Sequence, residues 1–345
     1  MHLLFFLVLC MLSIYPRIEK VARERPKILA MTGGQAPAVM EKGSVILIQP
    51  PAAQLQSFDP IVRSDSASCI IPFSRAGNLI IIRARIDTTE GSFILDTGAP
   101  HLVLNMTYFR DYPSTSDHQD ENGGITGNIS SASPTLISNM SFGPVKYCNL
   151  HADRINLGHI ENSKGIKILG LLGLQLFKQF EMIIDYESNL LHLHLITKKE
   201  RSAAFHSPLL KDTSLYRTTS IDIMEDKLIT YGNFRGKKLT FVIDTGAESN
   251  VMDSRLPNKI LENIDITRRV LLAGTGSNKI EALYGYMKNM TIGNREVGVL
   301  PVLVTNLEKM CDSYNKCIDG MLGFDYLSLQ KIGFNFVTRK MFTWN

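Results

Sequence analysis

The tetrapeptide Asp-Thr-Gly-Ala occurs twice in the chain, each time at the end of an apolar run. The first copy lies in FILDTGAPHLVL, residues 93–104, and the second in FVIDTGAESNVM, residues 241–252. The two windows are identical at six of their twelve positions. An apolar run before the aspartate is typical of a stiff buried strand, and the glycine after it permits a tight turn. Both copies therefore predict a carboxylate held on a rigid support.

The resemblance between the two halves extends beyond these windows, which indicates an internal duplication. A strand, a polar turn and a second strand precede each motif, with Gly91 in the first turn and Gly236 in the second. A segment of two apolar residues and a glycine follows each motif, and its glycine lies 77 residues after Asp96 and 79 residues after Asp244. These segments are Leu171-Leu172-Gly173 and Met321-Leu322-Gly323.

The pattern between these landmarks predicts a mainly β protein. Short strands and glycine-rich turns recur in both halves, and long amphipathic helices are absent. The glycine-rich turns lie at residues 123–131 and 273–279. The predicted organisation is a signal peptide at 1–16, a leader or N-terminal extension at 17–66, a first lobe at 67–198, a linker at 199–216 and a second lobe at 217–345.

Two aspartates on matched loops suggest a specific chemistry. Two carboxyl groups held about 3 Å apart cannot both ionise comfortably. One then accepts a proton from a water molecule while the other donates a proton to the leaving group, and the shared proton belongs to the pair. Two identical loops related by a pseudo-twofold axis would supply such a symmetric pair. The candidate pair is Asp96 and Asp244.

The residues next to each aspartate have physical roles that fit this pair. The two threonines offer hydroxyl groups that can join the loops across the axis. The glycines let the backbone approach the carboxylates, and the alanines add no hydroxyl group near them. These supporting residues are Thr97, Gly98 and Ala99 in the first loop and Thr245, Gly246 and Ala247 in the second.

With these motifs, residues 70–345 resemble the aspartic peptidase superfamily. In that superfamily an apolar-apolar-Gly segment packs under each Asp-Thr-Gly loop, which implies this structural role for Leu171-Leu172-Gly173 and Met321-Leu322-Gly323. The alanine after Asp-Thr-Gly, the compact lobes and the short helix after each glycine resemble the retropepsin-like bacterial aspartyl proteases, here with two lobes fused. The alanine implies, by the same resemblance, a less acidic pH optimum than that of pepsin.

The resemblance implies a fold and a set of roles. The fold is all-β, with two pseudo-symmetric closed β-barrel-like lobes (the aspartic-protease fold) and short helices. Asp96 and Asp244 are then the catalytic pair, Thr97 and Thr245 form a hydrogen-bonded grip between the lobes, and the glycine-rich hairpins are flaps over the substrate. The first hairpin lacks the flap tyrosine of pepsin-like enzymes, whereas the second-lobe hairpin region carries tyrosines at 284 and 286.

The combined prediction is an aspartic endopeptidase that acts on an extended polypeptide without a metal or organic cofactor. One chain supplies both aspartates, so a monomeric pseudo-dimer is expected. Two alternatives stay open at this point. The first is a non-catalytic peptide- or protein-binding module on the same scaffold. The second is a chain whose two lobes sit apart, each of them pairing with another molecule.

The net charge and the surroundings of the histidines argue against nucleic-acid binding and metal binding. The net charge is only +4, from 37 basic and 33 acidic residues, and no basic stripe with interleaved aromatic residues suggests a nucleic-acid partner. His192 and His194 share one face of a strand, but no nearby carboxylate or cysteine pattern supports a metal site. Exposed strand histidines are expected instead. His101, five residues after Asp96, is expected at the surface.

The N-terminus predicts export. Leu3 to Ile14 form a twelve-residue apolar run, which suits a signal-peptide core better than a membrane span. The expected location is the periplasm, the cell envelope or the medium, with no stable membrane span after removal of the signal. An uncleaved anchor is the alternative, since no basic residue precedes the run and no small-residue cleavage site follows it.

The chain has five cysteines, of which Cys10 lies in the predicted signal peptide. Cys311 and Cys317 bracket the polar sequence DSYNK, so a local disulfide between them is possible in an oxidising compartment. The alternative is that the cysteines are free buried thiols, and for Cys69 and Cys148 a bridge and free thiols are equally compatible with the sequence.

Overall fold

The computed structural model of the chain describes residues 5–7, 61–62, 67–115, 120–124, 127–202, 207–224, 226–274, 279–308, 310 and 317–345. Most of the predicted signal peptide and leader lies outside these residues, as do Cys10, Cys311, the tips of both glycine-rich hairpins and part of the predicted linker. Both lobes belong to the same compact unit. No helix in the described part of the chain is long and apolar enough to span a membrane.

Thirteen strands precede the linker. They are β1 (Phe5–Leu7), β2 (Ile61–Val62), β3 (Ser68–Pro72), β4 (Ser74–Ala76), β5 (Leu79–Ile86), β6 (Thr89–Asp96), β7 (Leu102–Asn105), β8 (Asp120–Gly124), β9 (Gly127–Phe142), β10 (Val145–Ile155), β11 (Gly170–Gly173), β12 (Phe180–Asp185) and β13 (Leu190–Leu195). The helices of this part are α1 (Gly158–Lys164), a 3-10 helix (Leu174–Phe177) and α2 (Lys198–Ser202).

Eleven strands form the second half. They are β14 (Tyr216–Ser220), β15 (Asp222–Met224), β16 (Lys227–Phe234), β17 (Lys237–Ile243), β18 (Val251–Asp253), β19 (Ile264–Gly274), β20 (Lys279–Ile292), β21 (Arg295–Thr305), β22 (Gly320–Leu322), β23 (Ile332–Asn335) and β24 (Lys340–Trp344). Its described helices are the single turns α3 (Asn258–Leu261) and α4 (Phe324–Leu327).

Each lobe contains a closed ring of six strands. In the first lobe the order is β5-β6-β11-β7-β10-β9, and β9 closes the ring because it pairs with both β10 and β5. In the second lobe the order is β16-β17-β22-β18-β21-β20, closed by pairing of β20 with β16. The glycine-rich hairpins extend from these rings as β8-β9 and β19-β20, and β1 pairs in parallel with β19. The predicted all-β fold of two pseudo-symmetric barrel-like lobes with short helices is confirmed.

A third sheet joins the two lobes. Its six strands follow the order β14-β24-β23-β12-β13-β3, with β12 from the first lobe beside β23 from the second. The register pairs Met182 with Phe334, and both side chains are fully buried. Every residue of β12 and β23 is buried, because these strands lie at the centre of the sheet. This sheet makes the two lobes one hydrogen-bonded body.

The strands near the two aspartates match residue by residue in the two lobes. Adding 148 to the number of a residue in β5 or β6 gives its counterpart in β16 or β17, and Asp96 becomes Asp244. The pairing of Ala76 with Leu79 recurs as the pairing of Met224 with Lys227. Matching strand lengths and registers therefore place the two Asp-Thr-Gly loops in equivalent positions.

Two expectations about histidines were wrong. His194 is buried, with Nδ1 2.8 Å from Ser68 Oγ and Nε2 3.1 Å from Glu200 Oε1. The reason is that Ser68 lies opposite His194 on the neighbouring strand β3, while Glu200 of α2 lies at the other ring nitrogen. His192 is half-buried. His101 is also half-buried rather than on the surface, because its Nε2 lies 2.7 Å from Asp153 Oδ2 on the neighbouring β10. The described residues contain no cluster of metal-binding side chains.

The cysteines differ in their state. Cys317 is disulfide-bonded. Cys311 lies outside the described residues, so a bridge between these two stays a prediction. Cys69 and Cys148 are free thiols, the first half-buried and the second exposed. Burial raises the pKa of the Cys69 thiol to about 11, which keeps it protonated and unreactive.

Candidate active site

Each aspartate lies where a buried strand of the barrel ends. In the first lobe β6 runs in parallel beside β11, which pairs Leu95 with Leu172 and Asp96 with Gly173. In the second lobe β17 runs beside β22, and the N–H of Asp244 donates to the Leu322 carbonyl at 3.0 Å. The apolar-apolar-Gly segments thus support the ends of the aspartate-bearing strands.

The glycines of these supporting segments are required by close backbone contacts. A Cβ atom on Gly173 would lie 2.1 Å from the carbonyl oxygen of His101, and one on Gly323 would lie 2.5 Å from that of Ala247. The short helix that follows each glycine also holds the loop. The N–H of Leu174 donates to the Ala99 carbonyl at 2.8 Å, and the N–H of Phe324 donates to the Ala247 carbonyl at 2.8 Å. No side chain larger than glycine fits where strand and loop cross.

Four buried hydrogen bonds join each of the two threonines to the loop of the other lobe. The N–H of Thr97 donates to Thr245 Oγ1 at 3.0 Å, and the N–H of Thr245 donates to Thr97 Oγ1 at 3.0 Å. The hydroxyl of Thr97 donates to the Ile243 carbonyl at 3.0 Å, and that of Thr245 donates to the Leu95 carbonyl at 2.8 Å. Each hydroxyl is therefore both donor and acceptor across the pseudo-twofold axis, which fixes one loop against the other.

Replacing Thr97 by valine is expected to destabilise the protein by about 1–3 kcal/mol, because a buried N–H and a buried carbonyl lose their partners. Equilibrium unfolding in denaturant measures this loss, and Thr97→Ser should retain most of the stability. Thr230 is a matched control, since it is fully buried but its hydroxyl has no hydrogen-bond partner among the described residues. Thr230→Val should cost nothing. If Thr97→Val were as stable as the unmodified chain, the hydrogen bonds of Thr97 would not stabilise the contact between the two loops.

The four bonds bring Asp96 and Asp244 together in full burial. Asp96 Oδ1 accepts the N–H groups of Gly98 and Ala99, both at 2.9 Å, and Asp244 Oδ1 accepts the N–H of Gly246 at 2.8 Å. The two carboxyl groups lie within hydrogen-bond reach of each other. Their Oδ2 atoms have no other partner among the described residues. Two carboxyl groups thus face each other with one oxygen of each uncommitted.

The glycines of the two loops make this approach possible. A Cβ atom on Gly98 would lie 2.5 Å from Asp244 Cγ, and one on Gly246 would lie 2.6 Å from Asp96 Cγ. Each glycine therefore lies against the carboxyl group of the other lobe. Ala99 and Ala247 are fully buried and pack in the apolar cores of their own lobes.

Burial dominates the electrostatics of the pair. It raises the pKa of Asp96 from 3.8 to about 6, opposed by the two N–H groups, by Asp244 and by a nearby lysine. Burial and the proximity of Asp96 raise the pKa of Asp244 well above its ordinary value. Two carboxyl groups in this situation share a proton over a wide pH range.

The nearby lysine is Lys227, which the sequence analysis missed. Its side chain is fully buried, and Nζ donates to the Gly98 carbonyl at 2.7 Å. A signal for it was present in the duplication, because Lys227 corresponds to Leu79 and is a charged residue at the buried start of a strand. Glu248, two residues after Gly246, was also missed. Its buried carboxylate pairs with Lys164 of the other lobe.

Tyr284 and Tyr286 lie on β20, one of the two strands of the second hairpin. Their rings pack edge to face, 5.6 Å apart, and the Arg268 guanidinium lies 4.1 Å above the Tyr284 ring. Burial and the bond to Tyr286 raise the pKa of Tyr284 to about 12. The hairpin tips, residues 125–126 and 275–278, lie outside the described residues, so the flap role stays a prediction.

The chain is similar in part to known proteins. Residues 230–326, which hold Asp244 and Met321-Leu322-Gly323, match the family model for aspartyl proteases. This part of the second lobe is therefore similar to aspartyl proteases. No curated protein sequence matches it. Basic 7S globulin from soybean is similar in structure, with a TM-score of 0.40 and 10% sequence identity over 80% of this chain and 94% of that chain.

Proposed function

We propose that the chain is an active aspartic endopeptidase in which Asp96 and Asp244 form the catalytic pair. The observation that carries the proposal is the meeting of two fully buried aspartates from the two lobes of one chain, with their carboxyl groups in contact and one oxygen of each uncommitted. A binding module needs no such pair, and burying two carboxyl groups against each other is unfavourable unless they share a proton.

The proposed reaction is direct attack of water on the scissile peptide bond. The ionised carboxyl group takes a proton from a water molecule, whose oxygen forms a bond with the carbonyl carbon of the substrate. The protonated carboxyl group stabilises the developing negative charge on the carbonyl oxygen by hydrogen bonding. The carbon–nitrogen bond then breaks as the leaving nitrogen gains a proton from the pair, and the products are a carboxylic acid and an amine.

The proposed substrate is a polypeptide in an extended conformation. The hairpins β8-β9 and β19-β20 extend from the two barrels and present backbone groups with which an extended segment can pair as an added strand. Both halves of the site come from one chain, so we propose that a single molecule suffices. Export from the cytoplasm is likewise proposed, on the apolar run at residues 3–14.

A mixed peptide library tests the proposal. We expect a bell-shaped pH profile of kcat/KM, because the pair is active only with one proton. Its acidic limb should lie above the ordinary pKa of an aspartate, because burial raises the pKa of both carboxyl groups. A statine-type transition-state analogue should stop cleavage at one inhibitor per chain. Specific activity should not depend on protein concentration. A folded protein that binds peptides without cleaving them at any pH would instead indicate a binding module.

A further inference from the structure

Lys227 is a buried cation that the proposed reaction does not use. It begins β16 in the second lobe, but its Nζ reaches the loop of the first lobe and donates to the Gly98 carbonyl at 2.7 Å. A lysine is rarely fully buried unless it is paired, because its ammonium group loses its hydration. Its burial here therefore indicates a specific electrostatic role beside the two aspartates.

The charge of Lys227 acts on Asp96 through a single peptide group. The carbonyl of Gly98 and the N–H of Ala99 belong to the same peptide unit, and that N–H donates to Asp96 Oδ1 at 2.9 Å. A cation on the carbonyl oxygen polarises the peptide group and strengthens its N–H as a donor. Lys227 thus favours the charged form of the Asp96 carboxylate through this peptide group.

The second loop has no equivalent arrangement. The N–H groups of Ala99 and Ala247 both donate to the backbone carbonyl of their own aspartate, at 3.2 and 3.3 Å, but only that of Ala99 also donates to the carboxyl group. Among the described residues, Asp244 Oδ1 accepts only the N–H of Gly246. The pseudo-symmetric counterpart of Lys227 is Leu79, which is fully buried in the apolar core of the first lobe. Two loops with the same sequence therefore sit in different electrostatic surroundings.

We propose that Lys227 is a positioning residue that makes the two aspartates unequal, holding the negative charge of the pair on Asp96 and leaving the shared proton on Asp244. Asp96 is then the base that activates water, and Asp244 is the acid. This assignment deepens the proposed function and rests on it for the catalytic roles alone. The charge distribution itself is a property of the resting protein.

Among the described residues, Lys227 is the cation whose charge acts on both aspartates. Glu248 is paired with Lys164, and Asp226, beside Lys227 in the chain, is paired with Lys178. Tyr186 interacts with Asp244, and burial raises its pKa beyond the range of the reaction. The Lys227 ammonium lowers the pKa of both aspartates, against the larger effect of burial.

The pH profile of Lys227→Met tests the proposal. Without the cation the first ionisation of the pair needs a higher pH, so the acidic limb of kcat/KM should move up by about one unit. Activity below that limb should fall about tenfold. Lys227→Arg should restore most of the profile. Leu79→Met, at the pseudo-symmetric position, should leave both limbs in place. A uniform loss of activity with unshifted limbs would overturn the proposal and make Lys227 purely structural.

A second measurement does not depend on turnover. In protein labelled with 13C at the aspartate carboxyl carbons, the pair should titrate in two steps, assigned with Asp96→Asn and Asp244→Asn. The first step should belong mainly to Asp96 and should move to higher pH in Lys227→Met. A first step on Asp244, or one unchanged by Lys227→Met, would overturn the proposal even in a protein that cleaves peptides. The expected titration in a protein that cleaves nothing would refute only the proposed function.

Discussion

Asp96→Asn and Asp244→Asn are each expected to lower kcat by a factor on the order of 10⁴, because either change removes the shared proton that the reaction uses. An amide can neither accept the proton of the attacking water nor donate one to the leaving nitrogen as a carboxyl group does. Single-turnover cleavage of the best library peptide measures the loss. Asparagine keeps the size and the Oδ1 acceptor of aspartate, so the hydrogen bonds from Gly98 and Gly246 can survive.

Asp265→Asn is the matched control for these two variants. Asp265 lies on β19 of the second lobe, is exposed and pairs with Lys288 at the surface. Its replacement should leave kcat unchanged. Retention of activity by Asp96→Asn or by Asp244→Asn would show that the aspartates do not act as one pair.

The same two variants are expected to be more stable than the unmodified chain at neutral pH. Burial raises the pKa of Asp96 to about 6 in the folded state, so its ionisation destabilises the fold as pH rises from about 4 through that value. An asparagine avoids this effect and can donate to the remaining carboxylate. The gain should be about 1–3 kcal/mol at pH 7 and should vanish below about pH 4, where both aspartates are protonated in either state. Thermal unfolding across this pH range measures it.

Gly98→Ala is expected to disable the site by a different route. The new Cβ atom would lie within 2.5–2.6 Å of Cγ and both carboxyl oxygens of Asp244, and real Cβ atoms essentially never come closer than 3.0 Å. The two lobes must then separate locally or the carboxyl group must rotate, so kcat should fall by about 10²-fold or more. Gly246→Ala should act in the same way on Asp96.

Gly298→Ala is the control for these glycine variants. A Cβ atom at Gly298, on β21, meets no atom within 4 Å, so neither activity nor stability should change appreciably. A crystal structure of Gly98→Ala should show the two carboxyl groups farther apart. An unchanged kcat in Gly98→Ala would mean that the Gly98 loop can move away from Asp244 without disturbing the two carboxyl groups.

Much of the fold could be predicted from the sequence because the duplication leaves local signals. Apolar runs such as Phe93-Ile94-Leu95 predict buried strands, and the repeated order of strands, turns and apolar-apolar-Gly segments predicts two equivalent lobes. The structure confirms this arrangement. The expectation for His194 failed in part because Ser68, which lies opposite it on β3, is 126 residues away in the chain. No local pattern indicates which edge of a strand a distant segment will cover.

The sequence by itself determined the two Asp-Thr-Gly-Ala loops, the strands that carry them and the glycines that let them approach. These features depend on short-range backbone preferences and on a pattern that occurs twice. Only the tertiary structure decided how the two loops differ. Lys227 reaches Gly98 across 129 residues, and Glu248 reaches Lys164 across 84. A charged side chain in an apolar strand reveals that a partner must exist, but only the packing of one lobe against the other determines which group it meets.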